Sequence, residues 1–347
     1  MAYTTINKHT DYFNTKLYTG NGSVRTETGV GFQPDWTWIK DRTGTNAHVL
    51  TDSVRGANYQ VYSNLTNAQT NASGYLTAFA SDGFTLGTDG AVNQNSSNYA
   101  SWNWKAGNSS GSSNSDGSIT STVSANTTAG FSIVKYTGTG SGSNSTVGHG
   151  LGAKPAMIMV KNLGSTGNWV VWHKNLASQT NNYLRLDTDQ APGTTTNYWN
   201  NAAPTNQVFG VSPDGYNNNK NGENIIAYCF AEKTGYSKFG SYTGNGNVDG
   251  TFIYTGFAPA FVMTKRTDNT SDWLICDNKR PGYNVINKKL FPNQTQAEDS
   301  YDSFDFVSNG FKIRSSGSGH NASGGTFVYM AFGQSLVGSN NIPSTAR

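Results

Sequence analysis

Charged residues are scarce in this chain, and so are long apolar runs. Only 13% of the 347 residues are charged, and the formal net charge is +3. A nucleic-acid-binding surface needs a basic patch or stripe, for which this composition gives no support. No apolar run approaches the ~18 residues that a membrane span needs. We therefore expect no nucleic-acid partner and no insertion into a membrane.

Cysteine, secretory features and metal-ligand spacings are equally sparse. The two cysteines, Cys229 and Cys276, lie in strand-like runs, and we predict two buried free thiols rather than a disulfide framework. Residues 1–11 are polar and lack the apolar core of a secretory signal. The five histidines are far apart and show no ligand spacing. We predict no cofactor, and an N-terminal attachment segment over residues 1–11.

Glycine, aromatic residues and polar turn formers are abundant. The chain has 40 glycines, and aromatics make up 12% of it. Gly and Pro interrupt the sequence about every ten residues, and no stretch longer than two turns holds helical spacing. Short strands with regular turn signals are typical of sandwiches and barrels. The composition therefore predicts an all-β protein.

One stretch of sequence occurs three times without a gap. Each copy has a proline followed six residues later by a lysine: Pro34 and Lys40, Pro155 and Lys161, Pro259 and Lys265. Fourteen residues after the prolines lie His48, Trp169 and Trp273, and eighteen residues after them lie Asp52, His173 and Asp277. Further downstream, each copy has a glycine–aromatic turn: Asp82-Gly83-Phe84, Asp214-Gly215-Tyr216 and Asn309-Gly310-Phe311. Self-similarity of this length decides the architecture.

We predict three tandem antiparallel β-sandwich repeats of the jelly-roll or concanavalin-like kind. The predicted segments are the attachment segment (1–11), repeat one (12–107), a Ser/Gly-rich linker (108–128), repeat two (129–234), repeat three (235–335) and a polar tail (336–347). Because Ser/Gly-rich segments are flexible, we expect repeat one to be loosely tethered. No linker separates repeats two and three, so we expect these two to pack together.

Tryptophans are the most informative candidates for a binding site. Trp36 and Trp38, like Trp102 and Trp104, share one face of a strand because side chains alternate along strands. Core packing explains such pairs, but flat rings beside Asn, Asp and Gly loops also stack on sugars. The candidates for glycan stacking are Trp199, in an Asn/Tyr-rich loop, with Tyr198, Trp36 and Trp102.

Other residues permit more than one interpretation. The three lysines of the repeat cap strand edges, pair with local carboxylates or bind a ligand. The Asp-x-x-Arg spacing at Asp52 and Asp277 indicates local ion pairs. Residues 298–305 are acidic; they form a solvated loop, a weak metal site at Asp299, Asp302 and Asp305, or the carboxylates of a polysaccharide depolymerase. Neither a nucleophile elbow nor a phosphate loop is present, and we predict no enzyme.

The repeated residues also carry a resemblance. Gly31-Phe-Gln-Pro-Asp-Trp-Thr-Trp-Ile-Lys40, Ala100-Ser-Trp-Asn-Trp-Lys-Ala-Gly107 and the turn Asn309-Gly-Phe-Lys-Ile-Arg314 are similar to sequences in virion proteins of marine tailed bacteriophages, cyanophages among them. The resemblance covers about residues 3–335 and brings no catalytic residues. It implies a lectin-like β-sandwich, a place on the virion exterior, on tail or capsid, and assembly into a homotrimer.

Two function classes follow from this resemblance. The first is a tail-fibre or appendage adhesin that contacts a host-surface polysaccharide or other receptor. The second is a capsid decoration or tail-assembly protein that binds only other virion proteins. For either, we predict homotrimer contacts made by the aromatic strands 99–104, 226–230 and 327–332 or by the loops beside them, because exposed strand edges need protection.

Overall fold

The computed structural model describes residues 3–141, 145–212 and 217–338. The prediction of an all-β protein built from antiparallel sheets is confirmed, since every ladder between its named strands is antiparallel. The first repeat follows a 3₁₀ turn (His9–Asp11). It contains β1 (Phe13–Thr19), β2 (Arg25–Thr28), β3 (Trp36–Asp41), β4 (Val49–Asp52), β5 (Tyr59–Tyr62), β6 (Thr70–Asn71), β7 (Leu76–Ala80), β8 (Gly83–Leu86), α1 (Gly90–Asn93) and β9 (Asn98–Trp104).

The other two repeats add eighteen strands and one helical turn. The linker and repeat two contain β10 (Ser112–Asn114), β11 (Ser121–Asn126), β12 (Phe131–Thr137), β13 (Ser145–Gly148), β14 (Met157–Asn162), β15 (Val170–His173), β16 (Asn182–Tyr183), β17 (Gly193–Thr194), β18 (Val208–Val211) and β19 (Asn224–Phe230). Repeat three contains β20 (Ser237–Thr243), β21 (Phe252–Tyr254), β22 (Ala258–Arg266), β23 (Leu274–Asp277), β24 (Ile286–Lys289), β25 (Asp299–Val307), β26 (Gly310–Ile313), α2 (Ser318–Asn321) and β27 (Thr326–Gln334).

One strand order recurs in the main sheet of each repeat. The orders are β1-β9-β3-β4, β12-β19-β14-β15 and β20-β27-β22-β23, with further strands added at the edges of the first two sheets. In each case the proline-anchored strand pairs with the last strand of its own repeat. The threefold recurrence in the sequence therefore corresponds to a threefold recurrence of topology. The boundaries of the repeats stay predictions.

The central strands of each main sheet are buried on both faces. Along β19, Ile225, Ala227 and Cys229 belong to a core inside repeat two. Their neighbours Ile226, Tyr228 and Phe230 belong to a different core that also contains residues of the other two repeats. Successive side chains point to opposite faces of a strand. We call the core inside each repeat its outer core. We call the core to which all three repeats contribute the shared core.

The shared core has approximate threefold symmetry. Trp104, Phe230 and Phe332 hold equivalent positions near the ends of β9, β19 and β27. Their ring centroids are 6.4 Å apart for Trp104 and Phe230, 5.8 Å for Trp104 and Phe332, and 5.9 Å for Phe230 and Phe332. Aromatic pairs at such separations attract one another. The three main sheets therefore meet at these rings inside the shared core.

Two expectations about flexibility are wrong. The predicted linker forms β10 and β11, which extend the main sheet of repeat two, and its first residue Asn108 donates its N–H to the Asp35 carboxylate at 2.9 Å. Repeat one is thus packed into the shared core rather than tethered. Within the attachment segment, Ile6 is 2% exposed and belongs to that core.

The predicted contacts between copies are wrong for the aromatic strands. The strands 99–104, 226–230 and 327–332 meet inside a single chain, where they form the centre of the shared core. A homotrimer, with contacts from the loops beside these strands, stays a prediction. The turn Asp214-Gly215-Tyr216 and most of the polar tail lie outside the described residues.

Cys229 and Cys276 are buried free thiols, as predicted. Among the described residues, no helix has the length and apolar character to cross a membrane.

Candidate functional site

The four residues predicted to stack on glycans are all buried. Trp36, Trp102 and Trp199 are 0% exposed and Tyr198 is 6% exposed. Trp199 donates its Nε1–H to the Asn182 carbonyl at 3.1 Å and packs in the outer core of repeat two. The prediction is wrong for all four, because Trp36 and Trp102 pack in the shared core and Tyr198 and Trp199 pack in the outer core of repeat two.

Trp102 and Tyr228 instead connect repeats through the two Asp-x-x-Arg pairs. Trp102 Nε1–H donates to the Asp277 carboxylate of repeat three at 3.0 Å, and that carboxylate accepts from Arg280 at 2.6 Å. Tyr228 Oη–H donates to the Asp52 carboxylate of repeat one at 2.7 Å. The expected local ion pairs are confirmed, and each is also a contact between repeats.

The three lysines of the repeat form a second set of contacts between repeats. Their Nζ atoms donate to carbonyls of a neighbour: Lys40 to Thr295 at 3.1 Å, Lys161 to Thr66 at 2.8 Å and Lys265 to Asp189 at 3.0 Å. Each lysine is 0% exposed, and burial lowers its pKa to about 8. The expectation of an edge cap or a carboxylate partner is wrong, because these lysines join repeat one to three, two to one and three to two.

The acidic stretch 298–305 forms ion pairs rather than a metal site. Glu298 pairs with Arg42 of repeat one at 2.9 Å and with Arg280 at 3.2 Å. Asp299 pairs with Lys289 at 3.3 Å, and Asp305 with Arg314 at 3.3 Å. Across the described ranges no group of three His, Cys, Asp or Glu side chains is placed to hold a metal ion. The weak metal site at Asp299, Asp302 and Asp305 is therefore not supported.

The best candidate site is a cleft of about 320 Å³ at the surface of repeat three, which we call the repeat-three cleft. It lies between β23, β24, the start of β25 and the turn α2. Its lining includes Asp272, Lys289, Phe291, Tyr301 and His320, with Ser271, Leu274 and residues 317–319 between them. Small-molecule sites are concave and combine apolar walls with a few polar groups.

The aromatic wall of this cleft is built around Lys289. The Lys289 Nζ lies 4.7 Å from the ring centroid of Tyr301 and 5.6 Å from that of Phe291. A cation held over aromatic faces is attracted by the negative charge of the ring faces. Tyr301 is 47% exposed, so its ring is the accessible flat surface of the cleft.

Polar groups complete the lining. His320 is 6% exposed, and burial together with the nearby Lys289 lowers its pKa to about 4. It is therefore neutral at pH 7, and its Nε2 has no hydrogen-bond partner among the described residues. Asp272 Oδ1 accepts hydrogen bonds from Asn293 at 2.6 Å and Gln294 at 2.9 Å, which fix the orientation of the carboxylate.

Flat rings, an ammonium group, a fixed carboxylate and a neutral imidazole are suited to a ligand rich in hydroxyl groups. Lys289, Phe291, Tyr301 and His320 were not among the site residues predicted from the sequence. Tyr301 had a signal, because an aromatic residue stands within the acidic stretch 298–305. The positions of Lys289, Phe291 and His320 in the sequence gave no signal, because β24 and α2 come together only in the folded sandwich.

A family model described as a domain of unknown function, DUF7483, matches residues 8–335. The chain belongs to this family. The match runs across all three main sheets as one domain, which agrees with a core to which every repeat contributes. No curated protein matches the chain.

Proposed function

We propose that this protein is an exterior component of a bacteriophage virion that contacts host-surface glycans through the repeat-three cleft. The observation that carries the proposal is the partly exposed Tyr301 ring beside Lys289 in a cleft with a fixed carboxylate. A sugar ring can stack on Tyr301, while its hydroxyls donate to Asp272 and accept from Lys289. The resemblance to phage virion proteins supports the location.

The test compares two exposed tyrosines in binding assays with host polysaccharide and glycan arrays. Tyr301→Ala removes the ring in the cleft, and Tyr283→Ala removes a ring that is 82% exposed outside it. We expect the first variant to bind about tenfold more weakly, which corresponds to ~1.4 kcal/mol, and the second to bind as the parent does. Absence of any binding to host cells or their polysaccharide would sink the adhesin role.

A second candidate function, binding only other virion proteins, is favoured by the edge strand β21. The corresponding strands of the other two repeats are protected. In repeat one, β2 carries the charged residues Arg25 and Glu27; in repeat two, Ile119 forms a β-bridge to Val147 of β13. In contrast, Phe252 and Tyr254 of β21 are 45% and 60% exposed. Unprotected apolar edges are places where another chain can pair.

The two candidate functions predict that different variants lose glycan binding and incorporation into particles. Phe252→Glu with Tyr254→Lys should reduce incorporation into particles if virion proteins dock at β21, and should leave glycan binding unchanged. A density map of the particle decides the location, because projection from the tail supports the adhesin and a chain lying flat on the shell supports decoration.

A further inference from the structure

A second cleft, of about 300 Å³, is lined by residues of repeat two beside their contact with β20 of repeat three, and we call it the junction cleft. Its lining is Lys154, Pro155, Ala156, Lys174, Asn175, Gln179 and Glu232. It shares no residue with the repeat-three cleft. Two lysines and two amides among seven lining residues make it a cleft rich in hydrogen-bond donors.

Positive charge exceeds negative charge at this junction. Lys174 pairs with Glu232 at 2.7 Å, and Lys238 from β20 approaches the same carboxylate to 3.9 Å. Glu232 also accepts the N–H of Phe239 at 2.8 Å. Glu232 is the only carboxylate among the lining residues, so Lys154 and Lys174 leave an excess of one positive charge in the lining.

The lysines are positioned by neighbouring side chains. Gln179 Oε1 accepts from Lys154 Nζ at 3.0 Å, while Gln179 Nε2 donates to the Lys174 carbonyl at 2.9 Å. Lys154 Nζ also lies 5.9 Å from the ring centroid of Trp172. One glutamine therefore holds the side chain of one lysine beside the backbone of the other. Ammonium groups held in place bind oxyanions more strongly than mobile ones, because less side-chain entropy is lost.

We propose that the junction cleft binds an oxyanion group carried by a polysaccharide. Such a group accepts hydrogen bonds from Lys154 and Lys174 and neutralises the excess charge that Glu232 leaves. Sulfate esters, phosphates and carboxylates share this chemistry. The polysaccharide part of the inference rests on the proposed function, whereas the anion-binding part stands on the junction alone.

The test uses dextran sulfate, phosphorylated dextran, carboxymethyl dextran and uncharged dextran of equal length, with binding measured by calorimetry at 50 mM and 200 mM salt. We expect all three anionic polymers to bind more tightly than dextran and their binding to weaken at the higher salt concentration. Lys154→Gln should weaken anionic binding at least fivefold. The matched control is Lys16→Gln in β1, which makes the same charge change in repeat one and should change binding less than twofold.

Two results would overturn the proposal. One is equal binding of dextran sulfate by Lys154→Gln and Lys16→Gln, which would show a general charge effect. The other is equal affinity for charged and uncharged dextran. Tyr301→Ala separates this proposal from the adhesin role: it should bind host glycan about tenfold more weakly and keep its binding to dextran sulfate. Thermal unfolding of each variant confirms that the fold is intact.

Discussion

The three contacts between neighbouring repeats occupy equivalent positions but have different chemistry. Between repeats one and two, and between three and one, a buried aspartate and arginine meet the polar tip of Tyr228 or Trp102. Between repeats two and three the same positions are His173 and Leu176, and the residue equivalent to Tyr228 and Trp102 is Met330. Here His173 Nε2 lies 3.1 Å from the Tyr329 carbonyl.

The difference shows that the residues on both sides of a contact change together. An aspartate–arginine pair faces a ring that can donate a hydrogen bond, whereas leucine packs in the same core as an apolar methionine. Buried charges need a partner at every position, because an unpaired buried charge is costly. An apolar contact has no such requirement, so we expect the two kinds to respond differently to substitution.

The largest effect is expected from Asp52→Ala. This change leaves the Arg55 guanidinium, whose side chain is 1% exposed, without a carboxylate, and removal of one partner of a buried pair costs about 3–5 kcal/mol. Asp277→Ala should cost less, because Arg280 keeps Glu298 at 3.2 Å. Urea unfolding measures both, and an equal loss would show that Glu298 does not compensate.

Acid should destabilise the contact between repeats two and three, because His173 lies in it. Burial lowers its pKa from 6.5 to about 4, so the unfolded chain binds more protons than the folded one between these values. Stability is then complete above pH 6.5 and falls towards pH 4, by about 1.4 kcal/mol per pH unit from this residue. His173→Gln should flatten the loss of stability between pH 6.5 and 4.5, and an unchanged slope would contradict the assignment.

A smaller effect is expected from Lys161→Met. The substitution keeps the length of the side chain but removes the ammonium donor from the Gly167 carbonyl and leaves the Thr66 carbonyl with the Gly167 N–H as its donor. Unsatisfied buried groups cost about 1–3 kcal/mol. Lys16→Met, on a half-buried side chain of β1, is the control and should stay within about 0.5 kcal/mol of the parent. Equal losses for both variants would mean that the link between repeats contributes nothing.

The smallest effect is expected from converting one contact into the other kind. The triple variant Asp52→His, Arg55→Leu and Tyr228→Met reproduces the residues of the contact between repeats two and three. Replacing a whole buried ion pair by packed apolar groups is often neutral or stabilising. We expect the variant to lie within about 2 kcal/mol of the parent and to be more stable than Asp52→Ala. A triple variant less stable than that single variant would show that the two contacts are not interchangeable.

Local features of the fold could be predicted from the sequence because they depend on local patterns. The proline-anchored strands β3, β14 and β22 appear where the repeated text predicts them, and the alternation in β19 marks a strand with two buried faces. The candidate site was not predictable in the same way. Trp199 has the sequence surroundings of an exposed ring, yet it is buried, whereas Tyr301 is exposed within a stretch that suggests only acidity.

The glycine–serine segment after repeat one shows the same limit. Its composition is that of a flexible linker, but the segment forms ordered strands: β11 pairs with the edge of β12, and β10 pairs with β11. A backbone edge stabilises a strand through main-chain hydrogen bonds, for which the side chains give no local sign.

Strand positions, the threefold recurrence and the all-β class were thus contained in the amino-acid sequence, because each depends on residues close together in the chain. The tertiary structure alone decided which sheet covers each buried face. A strand with two apolar faces has the same sequence pattern whether its second face packs inside its own sandwich or against a neighbouring repeat. For this reason the aromatic strands suggested contacts between copies, although Trp104, Phe230 and Phe332 meet within one chain.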